Sequence, residues 1–337
     1  MTNVTRRIVL SLILALVFVL TAAPLAGAQN LERLRLSEVV RSLFYAPQYV
    51  ALELGFFRDE GFDIELSTAF GADKGAAALI SGSVDIGFFG PEAAVYIYLQ
   101  GARDYLVAFA QLTAMDGSFL MAREPTDNFQ WTDLKGKVVV GARPGGVPQM
   151  MLEWIIRQHG MDPYEDMTMI TNLAFEAAPG AFHAGLGDYI AQFEPSLSQI
   201  QKQGVGQVVA SLGVDGGPIA YTAYHVRKSY LERNPDLLVR FTRALLRGVE
   251  WVETHSPEEV AEVVRPFFPD IDFDVLVSSL ARYMEQGSWN PTLIPSEEGF
   301  ANLQKVMMAA GHLSETVPFE VLMETEIARQ ALESYQK

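Results

Sequence analysis

The chain contains no cysteine. That excludes disulfides, thiolate metal sites, a thiol nucleophile and a lipid-modified N-terminal cysteine. Basic residues are scarce as well: 25 Lys and Arg stand against 41 Asp and Glu, a formal net charge of -16. A surface of that sign repels phosphate backbones, so nucleic acid is not an expected partner. The histidines, His159, His183, His225, His255 and His312, have no second histidine at i+3 or i+4. Structural or solvated histidine is the plainer reading against a metal site. Catalytic signatures are missing too: no Gly-x-Ser-x-Gly, no His-Glu-x-x-His, no Gly-x-x-x-x-Gly-Lys-Ser/Thr. Gly141–Gly146 reads GARPGG, which is not a dinucleotide fingerprint. No cofactor is therefore expected.

Beyond the N-terminus no segment approaches the ~20 apolar residues of a membrane span. The N-terminus itself has the layout of a secretory leader over residues 1–28. Arg6-Arg7 form a positive start, Ile8–Leu20 an apolar run, and Ala26-Gly27-Ala28 a small-residue cleavage site. Cleavage after Ala28 would leave a periplasmic or extracytoplasmic protein that is not a lipoprotein. An uncleaved anchor is the alternative, and the arginine pair also permits a twin-arginine route.

The remaining length suits two domains, and 49% hydrophobic residues with 20% charged is ordinary globular composition. Leu34–Val40 alternates apolar and polar residues as a strand does. A helix from Pro47 to Gly61 follows, then a strand over Phe62–Leu66. Gly75–Ile80 reads as a helix, Val84–Phe89 as a strand, Glu92–Gln100 as a helix and Leu106–Leu112 as a strand. Ser118–Arg123 and Val138–Val140 are further strands. The order then restarts: a helix over Pro148–His159, a strand over Met167–Leu173, a short helix over Pro179–Ala184, and strands over Asp188–Phe193 and Gln207–Leu212. Strands alternating with helices predict an α/β protein with mostly parallel sheets. Pro47-Gln48 and Pro148-Gln149 start comparable helices, which suggests two domains of one plan. After Tyr221 the spacing is helical: 234–255, 257–267, 273–284, 297–310 and 319–334. That run is expected to pack on the first domain, to which the chain returns near Tyr221–Val226.

Ligands of open α/β sheets sit beyond the carboxyl ends of strands. The residues expected there are Phe44, Tyr45 and Gln48; Phe89, Gly90, Pro91 and Glu92; Asp116 and Gly117; Arg143, Gly145, Gly146 and Gln149; and Glu194. Rings supply flat walls, glycines admit close backbone approach, and Arg143 can fork onto an acid. Plainer readings stand beside these. Phe44 and Phe89 also suit a core, Glu92 and Glu194 suit helix N-termini, and Arg143 suits a surface ion pair.

Tyr45-Ala46-Pro47, Tyr49-Val50-Ala51-Leu52-Glu53-Leu54-Gly55-Phe56-Phe57 and Glu60-Gly61-Phe62-Asp63 resemble one family. It is that of the ABC-importer solute-binding proteins for nitrate, alkanesulfonates, taurine and thiamine pyrimidine precursors. Gly82-x-x-Asp85-Ile86-Gly87, Asp133-Leu134-Lys135-Gly136-Lys137 and Gly185-x-x-Asp188 with Glu194-Pro195 are similar to further blocks of it. The resemblance implies a two-lobed periplasmic binding protein of type II with two crossing hinge strands. Lobe 1 would be residues 29–116 plus 222–337, and lobe 2 residues 117–221. It implies a monomer that clamps a small-molecule ligand by hinge closure, catalyses nothing, and delivers the ligand to an ABC permease with its ATPase. Oxyanion-binding members often have Ser or Thr where this chain has Gly145-Gly146-Val147-Pro148-Gln149, and Pro148 lacks an N–H. Aromatic rings with Glu92, Glu194 and Gln149 therefore favour an aminopyrimidine-like ligand over a sulfonate or nitrate. The same scaffold also carries menaquinone-pathway enzymes, and a periplasmic sensor feeding a kinase is a third reading.

Overall fold

Two five-stranded sheets built on the same plan organise the chain. They are seen in a computed structural model that describes residues 31–336; the leader expected over 1–28 lies outside the described residues. Residues 33–337 form one compact unit, which carries the sheets and their helices. In the first sheet, β1 (Glu32–Glu38) leads through α1 (Ala46–Glu53) to β2 (Phe62–Thr68). Next come α2 (Ala72–Ser81), β3 (Ile86–Phe89), α3 (Glu92–Leu99) and β4 (Leu106–Thr113). The chain then crosses to the second sheet: β5 (Ser118–Ala122), β6 (Val138–Val140), α4 (Val147–Gln158), β7 (Thr168–Ile170), β8 (Tyr189–Phe193), α5 (Ser196–Lys202) and β9 (Gln207–Ser211). It returns as β10 (Thr222–Arg227), followed by α6 (Pro235–Thr254), α7 (Pro257–Val264), α8 (Phe273–Gln286), α9 (Glu297–Ala309) and α10 (Glu326–Tyr335).

The strand orders are β2-β1-β3-β10-β4 and β7-β6-β8-β5-β9. Position by position these match, with β6 in the place of β1, β7 of β2, β8 of β3 and β9 of β4. In each sheet the fourth strand is the one that has just crossed over, and it runs antiparallel to both its neighbours: β10 against β3 and β4, β5 against β8 and β9. The repeat suggested by the two Pro-Gln helix starts is thus a repeat of topology. Helices cover the faces of both sheets, which is why β3 (IGFF) and β4 are buried along their whole lengths. The crossings lie side by side, with Ile219 N donating to Ala114 O at 2.9 Å.

Three expectations change. The helix expected over 47–61 is broken: Gly55 takes φ 76, and a separate turn, Phe56–Asp59, follows. A left-handed glycine ends a helix, and the restart buries Phe57 against Phe241, with ring centroids 4.9 Å apart. The segment expected as one helix over 319–334 is also broken. Met323 is extended and bridges to Ala108 in β4, a backbone pairing that a continuous helix forbids. Finally, the C-terminal helices do not pack on one lobe alone. α6 lies on α1 and α10, but α8 meets α5 and α9 meets α4 of the second lobe. Lys202 of α5 pairs with Asp272 and Asp274 at the start of α8, both at 2.8 Å.

Candidate functional site

A cavity of ≈ 990 Å³ opens between the carboxyl ends of the two sheets, where open α/β sheets place their ligands. Lobe 1 contributes Tyr45 and the facing sides of α2 and α3. Lobe 2 contributes the loop 141–148 together with Phe175, Gln192 and Phe193, and the returning crossing contributes Tyr221 and Thr222. The lobes touch across its mouth. Tyr96 OH donates to Gly145 O at 3.3 Å, and Arg143 pairs with Asp73 at 3.7 Å.

Glu92 is the polar centre of the cavity. It occupies the first turn of α3, after Pro91, and is 6% exposed. Its Oε2 has no hydrogen-bond partner among the described residues. Burial pushes its carboxyl up to about 7, against the opposing effect of its own backbone N–H. Gly90 makes this position possible, because a Cβ there would overlap the Glu92 carboxylate. Close by in the lining, Tyr221 OH is also buried without a partner. Tyr45 is 3% exposed, its ring set edge-on against Phe88 at 4.5 Å and its hydroxyl toward Thr222. Burial raises the hydroxyl pKa of both tyrosines, so each is a neutral group that can donate or accept.

Of the expected site residues, Tyr45, Gly90, Glu92, Arg143, Gly145 and Gly146 line this cavity, and the others have different work. Phe44 faces the hinge, among Tyr283 at 5.0 Å, Tyr221 at 5.7 Å and Phe193 at 6.3 Å. Gly117 makes room for it, since a Cβ there would sit 2.6 Å from the Phe44 ring. Gln48 is buried, donating to Glu38 and accepting from Tyr224 OH, both at 3.0 Å. Phe89 points to the opposite face of its strand from Phe88 and stacks on His225 at 4.4 Å. Pro91 is the residue that precedes α3 and stands outside the lining. Gln149 reaches back to accept from Ala142 N at 2.9 Å and so braces the loop 141–146. Asp116 lies on the first crossing, fully buried; Ser118 N and Oγ donate to its Oδ1 at 2.7 and 2.6 Å. Its other oxygen is unpartnered, and burial pushes the group up to about 7.

Glu194 differs most from its expected part as a ligand contact. It is 1% exposed and is used up inside the protein. Arg282 of α8 donates to Oε1, while Ser198 N donates to Oε2 at 2.9 Å. Its backbone is held as well: Ser42 Oγ donates to Glu194 O at 3.3 Å, and Glu194 N donates to Tyr283 OH at 3.1 Å. Glu194 therefore ties the first lobe's Ser42 loop and the C-terminal α8 to the second lobe.

Several lining residues were not singled out from the sequence: Phe70, Tyr96, Phe175, Phe193, Tyr221 and Thr222. One signal was available. Glu92, Tyr96 and Gln100 follow each other at i+4, which places them on one face of a helix. Phe70 gave no such signal; it has φ 57 and is 54% exposed.

Residues 44–260 match the family model described as NMT1/THI5 like. A relative in Bacillus subtilis (strain 168), YtlA, provisionally named a binding protein, is 40% identical over 302 residues, covering 90% of this chain and 90% of its own. The formylaminopyrimidine-binding protein of Halalkalibacterium halodurans is 25% identical over 268 residues, covering 76% of this chain and 77% of its own. Among solved structures, the periplasmic aliphatic sulphonate binding protein SsuA of Escherichia coli superposes with a TM-score of 0.67 at 20% identity. That match covers 88% of this chain and 99% of the other. With two matching sheets, paired crossings and a cavity between the lobes, the chain has the periplasmic-binding-protein fold and belongs to the NMT1/THI5-like family.

Proposed function

We propose that this protein is the extracytoplasmic substrate-binding component of an ABC importer. It captures a small organic molecule, of the aminopyrimidine or thiamine-precursor kind, and catalyses no reaction. The observation that carries the reading is Glu92: a buried carboxylate with a free oxygen, set in an interlobe cavity beside the free hydroxyl of Tyr221. A buried polar group left unpaired costs about 1–3 kcal/mol. A ligand that offers N–H groups relieves that cost and favours the charged carboxylate, whereas an anion is repelled by it. Tyr45 and Phe193, one from each lobe, provide aromatic surface for a flat ring. The formylaminopyrimidine-binding relative supports the same class.

The lobes are the bodies that move, dividing near residues 116 and 221. Ligand bridging them favours the closed state through contacts that exist only there. Arg143 and Lys74 also line the cavity, and a sulfonate or nitrate would use them; Asp73, Glu92 and Glu176 oppose that by their charge. Calorimetric titration with 4-aminopyrimidine, an alkanesulfonate and nitrate tests the reading. Binding of the aminopyrimidine, reduced tenfold or more in Glu92→Gln, is the expected result. Binding of the anions alone would overturn it.

A further inference from the structure

The cavity is larger than a single ring requires. Pockets of about 300–1,000 Å³ hold drug-sized ligands, and this one, at ≈ 990 Å³, lies at the upper end. The excess has a definite place in the fold. Along α3 the lining runs from Glu92 to Gln100, eight steps of about 1.5 Å that together extend about 12 Å. Along α2 it runs from Ala72 to Ile80, the same distance. Glu92 stands at only one end of this groove.

The walls are apolar, and their spacing shows why they face each other. On α2 the groove is lined by Ala72, Ala76, Ala77 and Ile80, all close to one helical stripe. On α3 it is lined by Ala93, Tyr96 and Ile97, with Gln100 at the far end. The short alanine side chains leave space along this wall of the groove. Charged lining on these two helices is confined to Asp73, Lys74 and Glu92, all in first turns. Two exposed large apolar side chains, Phe70 at 54% and Ile80 at 38%, belong to the same lining. Apolar surface left open and contiguous with a polar binding centre marks a place where a ligand is covered.

We propose that the ligand has two parts: a head with N–H donors held at Glu92, and an apolar extension lying in the groove between α2 and α3. The proposal rests on the reading of the cavity as an aminopyrimidine-type site. Each methylene of the extension buried in the groove tightens binding by about fourfold, from a transfer free energy of ~0.8 kcal/mol.

The test is a calorimetric series with 4-aminopyrimidine and its 5-butyl and 5-hexyl derivatives, on the wild type, Ala77→Phe and Ile80→Asn. Ala77 and Ile80 are exposed, so folding of these variants is checked by thermal melting and either one suffices. The readout is the ratio of hexyl to unsubstituted affinity. The expected wild-type ratio is tenfold or more, falling to within about twofold in Ala77→Phe and dropping markedly in Ile80→Asn. If the unsubstituted ring binds and the chain adds nothing in the wild type, the two-part ligand is overturned while the aminopyrimidine reading stands. An equal ratio in wild type and variants overturns the groove as the tail's location. If no member of the series binds, the aminopyrimidine reading itself fails and this inference fails with it.

Discussion

Glu92 and Glu194 hold matching places in the two lobes, each shortly after the third strand of its sheet's plan, β3 and β8. Both are almost wholly buried. Their surroundings are opposite. Glu194 is enclosed by Arg282, Ser198 and Ser279 and by backbone bonds to Ser42 and Tyr283. Glu92 has a free oxygen facing the cavity and, among the described residues, no cation against it. One acid joins lobes to the C-terminal helices, and the other keeps an oxygen open to the cavity. Duplicated topology therefore does not duplicate chemistry. The helix that reaches the second lobe, α8, brings the arginine; no described helix brings a cation to Glu92.

The largest effect expected from breaking this pattern is on Glu194. Glu194→Ala leaves the partly buried Arg282 without its carboxylate partner and should cost about 1.5–3 kcal/mol of stability, read as a lower urea midpoint with unchanged slope. A Glu194→Ala protein that melts like wild type while losing ligand affinity would instead return this residue to the binding site. Next is Gly117→Ala, whose new methyl group meets the Phe44 ring; overpacking of this kind costs about 1–3 kcal/mol, read in the same unfolding experiment.

Glu92→Gln sharpens the contrast from the other side. Loss of charge-assisted hydrogen bonds should weaken aminopyrimidine binding by about 1.5–3 kcal/mol, with no loss of melting temperature. The pH dependence follows from the same group. Its folded pKa, about 7, lies above the ordinary carboxylate value, so the folded state binds the proton more tightly. The stability this contributes is complete below the unfolded pKa and is lost as pH rises through about 7. Asp116, also pushed up to about 7 by burial, acts in the same direction. The ligand-free protein should therefore lose on the order of 2 kcal/mol per group between pH 5 and 8, seen as a falling melting temperature. Glu92→Gln should flatten part of that fall. The smallest effect belongs to Asp73→Asn, which removes the exposed pair with Arg143 across the cavity mouth. Such pairs are worth about 0–1 kcal/mol, so stability should barely move.

Composition and periodicity carried much of this protein. The α/β class, the alternation of elements and the repeated Pro-Gln helix starts were all legible, because strand and helix periods are local properties of side-chain order. Tyr45, Glu92 and the glycines at 90, 145 and 146 were legible as cavity residues because strand exits can be read once strands are placed. Breaks at Gly55 and Met323 were not, since each depends on a partner distant in sequence: Phe241 for the first, β4 for the second. Phe44 and Tyr45 are neighbours with the same aromatic signal, yet one fills the hinge and the other faces the interlobe cavity. Only the backbone path around Ser42 separates them.

The sequence alone determined which acids stand at the exits of β3 and β8, since that follows from local order. Whether each acid was free was decided only in three dimensions. The energy of a buried carboxylate depends on what is packed against it, and the group that satisfies Glu194 lies 88 residues further along the chain.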